Sequence, residues 1–237
     1  MKRIMEKKEE LMSSQMRGRE NTMKVLPAII AEDQRQLDKM LNRIKGFARH
    51  IMLDVMDGVF VSGRSLDFDY ELPTGPRYQA HLMVEDPLRR LGGLVGKADT
   101  AIIHVESVKD IPEVINVTLD HGLGAFLAIN PDTPVDAVAP HISKLEGVLV
   151  MTVQPGSYGS PFLSWCLGKV EAFRALDGDL VIEVDGGINP ETAVRAVEAG
   201  ANMVAVGSYI VASDHPMKAY TRLVEAVHVA RGLIQRE

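Results

Sequence analysis

Four polar residues occur at equivalent positions near the ends of apolar runs, and their types suit proton transfer. Asp54 follows "HIML", Asp185 follows "LVIEV", His81 lies within "AHLMV" and His104 within "IIHVE". Carboxyl and imidazole groups give and take protons near neutral pH, so they suit acid–base catalysis if they meet in one site. One aspartate at a strand end commonly only binds a loop, but two aspartates and a histidine at one level favour a shared site.

The order of the elements explains how residues so far apart in the chain could meet. Short, nearly all-apolar runs alternate with amphipathic stretches, which is typical of a parallel sheet covered by helices. Eight such units in about 210 residues predict an α/β fold of the closed (β/α)8 TIM-barrel type, whose active site lies at the carboxyl ends of the strands. No G-x-G-x-x-G motif follows the first run, which disfavours a dinucleotide-binding sheet. The predicted strands are 25–30, 51–56, 78–84, 100–105, 124–129, 147–151, 180–184 and 202–206.

Composition restricts the class of protein further. The chain has 237 residues, of which 46% are hydrophobic and 24% charged, as in a soluble globular domain. A net charge of −6 argues against nucleic acid as a partner, and no apolar stretch is long enough to span a membrane. Cys166 is the single cysteine, which is compatible with the cytoplasm. We expect residues 1–22 to be a charged N-terminal extension, disordered or loosely helical, and residues 23–237 to form a single barrel domain.

Glycine-rich segments follow the last three predicted strands. They read "QPGSYGS", "DGGIN" and "VGSYI". Glycine lets backbone N–H groups approach an anion, and many (β/α)8 barrels bind phosphate with the loops after strands seven and eight. The segments therefore predict a phosphate site, and its candidate residues are Gly156, Ser157, Tyr158, Gly159, Gly186, Gly187, Gly207 and Ser208.

The motifs "LDVMDG", "HLMV", "PGSYGSPF", "EVDGGIN" and "VGSYI" together resemble the ribulose-phosphate 3-epimerase family, in order and in spacing. The resemblance begins near Val25 and covers nearly the whole predicted domain. It implies a barrel of the ribulose-phosphate-binding type that interconverts D-ribulose 5-phosphate and D-xylulose 5-phosphate, usually with a divalent metal. It also implies that Asp54 and Asp185 exchange protons with C3 and bind the metal together with His81. In addition, the resemblance places three side chains beside the substrate, namely Met56, His81 and Met83.

The implied chemistry is reasonable for these residue types. A proton next to a carbonyl is too weakly acidic for an isolated carboxylate, so a metal or preorganised donors must stabilise the enediolate as it forms. Inversion also requires a base on one face of the carbon and an acid on the other. Two aspartates on opposite sides of a barrel mouth provide that pair.

Two residues depart from the family pattern. Met52 stands where the family has a metal-binding histidine, and Ala28 stands where it has a serine. A thioether suits Cu(I) and not Zn, Fe, Mn or Co. Two outcomes stay open: a site of three protein ligands that holds one of these ions weakly, or no metal at all. His104 is a candidate to compensate for the missing ligand.

Two other functions deserve comparison with the epimerase. A lyase such as hexulose-phosphate synthase would require a lysine in a D-x-K-x-x-D pattern, but this chain has "DVMDG". A non-catalytic or altered-substrate phosphosugar-binding barrel is favoured by Ala28 and Met52, whereas the retained Asp54, His81 and Asp185 disfavour it. We therefore expect an isomerase with a small-molecule sugar phosphate as partner, neither nucleic acid nor membrane, and a homo-oligomer.

Overall fold

Eight parallel strands form a closed barrel in this computed structural model, which describes residues 23–156 and 160–234. The first strand, β1, hydrogen-bonds to both the second and the last, so the sheet has no open side. This confirms the predicted (β/α)8 fold. The predicted N-terminal extension lies outside the described residues. The strands are β1 Lys24–Ile29, β2 His50–Asp57, β3 Arg77–Met83, β4 Thr100–His104, β5 Gly124–Ile129, β6 Gly147–Met151, β7 Val181–Asp185 and β8 Met203–Val206.

Helices follow most of the strands and cover the outside of the barrel. The segment between β2 and β3 instead contains a two-residue strand, Arg64–Ser65, that runs antiparallel to β2. No helix in the described part of the chain is long and apolar enough to cross a membrane. The α-helices are α1 Gln34–Ile44, α2 Leu88–Leu94, α3 Ile111–Asp120, α4 Leu167–Leu176, α5 Pro190–Glu198, α6 Ser208–Val211 and α7 Pro216–Ile234. The 3-10 helices are Val105–Ser107, Val135–Ala137, Ala139–Lys144 and Ser164–Cys166.

Local sequence explains where a helix such as α5 begins and ends. The Asn189 side chain accepts hydrogen bonds from the first turn, and the Thr192 hydroxyl accepts one from the backbone N–H of Asn189. Pro190 occupies the first helical position, where it loses no helical hydrogen bond. Gly200 follows the helix with φ of 111°, a conformation that glycine adopts readily. The predicted start and end of this helix are therefore confirmed.

The barrel interior is filled with side chains below its carboxyl-terminal end. Met52 is fully buried there, and its register partners are Ala28 on β1 and Gln79 on β3. Met52 and Ala28 belong to an apolar interior cluster that also contains Leu149 and Phe126. Because this layer is packed, substrate can enter only at the strand ends above it.

Candidate active site

The barrel brings Asp54, His81 and Asp185 together at the carboxyl ends of their strands. Asp54 and His81 are register partners on adjacent strands, and Asp185 ends β7. His81 Nδ1 lies 3.1 Å from Asp54 Oδ1 and 3.6 Å from Asp185 Oδ2. One candidate ligand atom from each residue lies within 4.8 Å of the others. We call these three residues the Asp–His–Asp group, and their meeting agrees with the expectation from sequence.

Burial and charge shift the proton affinities within this group. Burial would lower the pKa of His81, but the hydrogen bond to Asp54 and the charges of both aspartates raise it above its ordinary value. Burial and the nearby charge of Asp54 raise the pKa of Asp185 to about 7. A carboxyl with a pKa raised in this way can hold a proton nearer to neutral pH, which suits it to serve as acid or as base.

The far nitrogen of His81 contacts a second buried histidine, His104. The two Nε2 atoms are 2.9 Å apart, and the rings are stacked with centroids 5.0 Å apart. His104 Nδ1 lies 3.2 Å from Glu106 Oε2. His104 thus lies behind His81 and outside the Asp–His–Asp group, and we find no support for it as a substitute ligand. Glu106 was missed from sequence, although its spacing of two residues from His104 was a usable signal.

The cavity above the group is lined by apolar side chains and by glycines. Met56 and Met83 line it, as the resemblance implied, and so does Ala28. The glycine-rich segments contribute another part of the wall: Gly156, Gly186, Gly187, Gly207 and Ser208. The other three predicted residues of the first segment, Ser157, Tyr158 and Gly159, lie outside the described residues.

Two of these glycines are required by the backbone. Gly186 has φ of 113°, and an added Cβ would lie 2.5 Å from Val153 Cγ2. Gly187 has φ of 65°, and its Cβ would lie 3.0 Å from the backbone of Phe162. Both positions therefore exclude side chains, and the turn between β7 and α5 is held close to its neighbours.

A third buried carboxyl lies one layer below the Asp–His–Asp group. Glu183 is on the same face of β7 as Asp185, and its register partners are Leu149 and Met203. Neither of its carboxyl oxygens, nor the amide oxygen of Gln79, has a hydrogen-bond partner in the described part of the chain. Burial and the charge of Asp185 raise the pKa of Glu183 to about 8. Glu183 is therefore a neutral acid at pH 7, a feature that sequence reasoning missed.

The chemistry of the group fits a divalent cation. Two carboxylates and one imidazole are the oxygen and nitrogen donors that Zn²⁺ and similar ions prefer. Among the described residues, Asp54, His81 and Asp185 form the one cluster of three potential ligands. Met52 does not join it, since its side chain is buried in the apolar layer below.

Fold and site together define a (β/α)8 barrel in which two carboxyls and an imidazole cluster next to glycine-rich loops. The sequence pattern of the Ribulose-phosphate 3 epimerase family matches residues 24–211. Ribulose-phosphate 3-epimerase from Schizosaccharomyces pombe is 31% identical over 217 residues, covering 88% of this chain and 95% of the relative. The Bacillus subtilis protein of that name is 33% identical over 212 residues, covering 85% and 98%. The chain belongs to the ribulose-phosphate 3-epimerase family, which confirms the predicted class of carbohydrate isomerase.

Solved structures with lower identity share the fold. The 3-hexulose-6-phosphate synthase from Salmonella typhimurium superposes with a TM-score of 0.65 at 13% identity, covering 88% of this chain and 100% of the synthase chain. Orotidine 5'-phosphate decarboxylase from Pyrococcus horikoshii gives a TM-score of 0.60 at 14% identity, covering 86% and 99%. At such identities the likeness establishes the barrel and carries no argument about the reaction.

Proposed function

We propose that this protein interconverts D-ribulose 5-phosphate and D-xylulose 5-phosphate, with Asp54 and Asp185 as the two acid–base groups. The observation that carries the proposal is that these two carboxyls, from distant strands, lie 3.1 Å and 3.6 Å from His81 Nδ1 at the carboxyl ends of the strands. Relatives at 31% and 33% identity carry the name of this epimerase, which supports the choice of substrate.

The reaction needs one proton removed and one returned. One carboxylate takes the proton from C3, and the electrons of the C–H bond form the C2=C3 double bond of an enediolate. The other carboxyl then gives a proton to the opposite face of C3, and the carbonyl at C2 is restored. Asp185, with its pKa raised to about 7, is suited to hold the proton in one direction, while Asp54 acts as the base. In the reverse direction the two roles exchange.

Asp54, His81 and Asp185 would hold a divalent ion, Zn, Fe, Mn or Co, at this site. When bound, such an ion supplies a Lewis acid that lowers the energy of negative charge on the substrate oxygens. With Met52 in the apolar layer, the described residues offer three protein ligands, which is enough for a catalytic site with an open position. We expect weaker binding than at a site with a fourth protein ligand.

The glycine-rich wall is proposed to bind the phosphate of the substrate. Gly186, Gly187, Gly207 and Ser208 surround one side of the cavity and present backbone close to it. Backbone amides can bind an anion without lysine or arginine. Met56 and Met83 belong to an apolar cluster and also line the cavity, so the carbon chain would pack against them. The expected homo-oligomer and the cytoplasmic location stay predictions.

Turnover of the variants Asp54→Asn and Asp185→Asn tests the function. Each should lower kcat by at least about 100-fold, since general acid–base groups contribute roughly 10² to 10⁴. Asp86→Asn, at an exposed carboxyl just beyond β3, is the matched control and should leave kcat unchanged. Near-wild-type turnover in either site variant would refute the two-aspartate mechanism. If the unchanged protein binds the sugar phosphate but turns none over with any of the four metals, the non-catalytic alternative holds instead.

A further inference from the structure

A continuous row of hydrogen bonds connects the loop after β5 with the back of His81. The backbone N–H of Asn130 donates to Glu106 Oε1 at 2.8 Å, and the Thr133 hydroxyl donates to the same oxygen. The other Glu106 oxygen contacts His104 Nδ1, and His104 Nε2 contacts His81 Nε2. We call Glu106, His104 and His81 the histidine relay. It reaches the Asp–His–Asp group at His81 Nε2, whereas Nδ1 of the same ring lies next to the two aspartates.

Hydrogen-bonding capacity gives the relay a direction. Glu106 has three donors around it, and although burial opposes this, these hydrogen bonds lower its pKa to about 2. An ionised carboxylate only accepts, so His104 Nδ1 must carry a proton. Two ring nitrogens 2.9 Å apart can share only one proton. His104 is fully buried against the Phe60 ring, where a neutral imidazole is favoured, and its Nδ1 already donates to Glu106. Its Nε2 therefore accepts, and the shared proton belongs to His81 Nε2.

Ring packing holds the relay in this geometry. The His104 ring lies between the His81 ring, at 5.0 Å and 21° between planes, and the Phe60 ring, at 5.0 Å and 50°. His81 and His104 are both fully buried. The stack fixes the plane of each ring, and a 180° turn of either imidazole would break its hydrogen bonds, so packing and hydrogen bonds together fix the orientation of both rings.

The consequence concerns the nitrogen that faces the aspartates. A histidine that keeps a proton on Nε2 has a lone pair on Nδ1 once the Nδ1 proton shared with Asp54 is released, and His81 Nδ1 is the atom next to Asp54 and Asp185. We propose that Glu106 and His104 are positioning residues that keep the Nε2-protonated tautomer of His81, and so keep its Nδ1 lone pair available to a cation. The inference rests on the proposed use of the Asp–His–Asp group as a metal site. A histidine ligand whose other nitrogen donates to a fixed acceptor is the usual arrangement at metal sites, but here the acceptor is a second histidine.

The variant Glu106→Gln should reverse the direction of the relay with little change of shape. The Asn130 N–H still requires an acceptor, so the glutamine must place its oxygen there and its NH₂ group toward His104. His104 Nδ1 then accepts, and its proton moves to Nε2. That proton occupies the contact with His81, which must carry its own proton on Nδ1. In this tautomer the nitrogen that faces Asp54 has no lone pair.

Two measurements on the full-length protein test the proposal. Calorimetric titration with Zn²⁺ alone should show about 10- to 100-fold weaker binding in Glu106→Gln, the range found for supporting hydrogen bonds at metal sites. Long-range ¹H–¹⁵N spectra should show the Nε2 proton on His81 in the wild type and on His104 in the variant. Glu85→Gln removes one exposed charge just beyond β3 and is the matched control; it should change Zn²⁺ affinity by no more than about twofold, because exposed charges are screened.

A second variant guards against a folding defect. His104→Phe removes the acceptor for His81 Nε2 while keeping an aromatic ring beside Phe60, and it should also weaken Zn²⁺ binding at least about tenfold. Wild-type affinity in both folded variants, or an unprotonated His81 Nε2 in the unchanged protein, would overturn the relay. The proposed function fails separately: a wild type with the predicted proton positions and no epimerase activity refutes the reaction and supports the relay.

Discussion

The buried carboxyl of Glu183 should make the stability of this protein fall as the pH rises. Glu183 is fully buried between register partners Leu149 and Met203, and neither oxygen has a partner in the described part of the chain. Its pKa is raised from 4.5 to about 8 because burial disfavours the charged form. The folded state therefore keeps a proton that the unfolded chain loses above about pH 4.5. The stabilisation is complete below that pH and is lost progressively as the pH approaches 8.

The size of the effect follows from the shift. At about 1.4 kcal/mol per pKa unit, a rise from 4.5 to about 8 corresponds to an upper limit of about 5 kcal/mol. A glutamine at position 183 has nearly the same shape and cannot ionise, so Glu183→Gln should remove this loss. For a domain of this size, 1 kcal/mol of stability changes Tm by about 2–4 °C. Above pH 8 the Tm of Glu183→Gln should therefore exceed the Tm of the wild type by up to about 10–20 °C.

Thermal unfolding with a metal chelator present measures the difference. Wild type and Glu183→Gln should unfold at similar temperatures at pH 5 and diverge between pH 5 and pH 9, with the variant more stable. Glu198→Gln, at an exposed glutamate on α5, is the control and should follow the wild type at every pH. Parallel curves for wild type and Glu183→Gln across this range would show that Glu183 is not a neutral acid in the fold and would refute the reasoning.

Two further predictions concern binding. Met52→His should strengthen Zn²⁺ binding in calorimetry, because it places an imidazole on the same strand face as Asp54. The control Met52→Leu should leave Zn²⁺ binding unchanged. Equal Zn²⁺ affinity in the wild type and both variants would mean that position 52 is not a vacant ligand position. Gly207→Val should weaken ribulose 5-phosphate binding at least about tenfold, because its side chain would crowd the backbone amides. The control Gly93→Val, on an exposed face of α2, should leave this binding unchanged. If ribulose without its phosphate binds the wild type as tightly as ribulose 5-phosphate does, the phosphate site is contradicted.

The fold could be predicted because its signals are local. Each strand is a short apolar run, and helices such as α5 carry a cap at Asn189, proline at the first position and glycine after the last turn. The convergence of Asp54, His81 and Asp185 was also predictable, because parallel strands in a barrel end at one face. These expectations depend only on the spacing of apolar residues, on the residue types at helix ends and on the topology of the strands.

The parts that could not be predicted depend on side-chain direction in three dimensions. The role of Glu106 requires the 3-10 helix Val105–Ser107, which turns its carboxylate back toward His104. His104 was expected at the level of the metal, but its ring contacts the far nitrogen of His81. Glu183 could have been found from sequence, since a glutamate two residues before Asp185 must share its strand face. Its lack of hydrogen-bond partners, however, depends on what the neighbouring strands place around it.

Incubation of the wild-type protein with ribulose 5-phosphate in D₂O tests the central claim most directly. If Asp54 and Asp185 work on opposite faces of C3, the proton returned in inversion comes from a carboxyl that has equilibrated with solvent. We predict that NMR finds xylulose 5-phosphate with deuterium at C3, and that Asp54→Asn and Asp185→Asn each slow its formation at least about 100-fold. Xylulose 5-phosphate that retains the original hydrogen at C3 would contradict the two-aspartate mechanism.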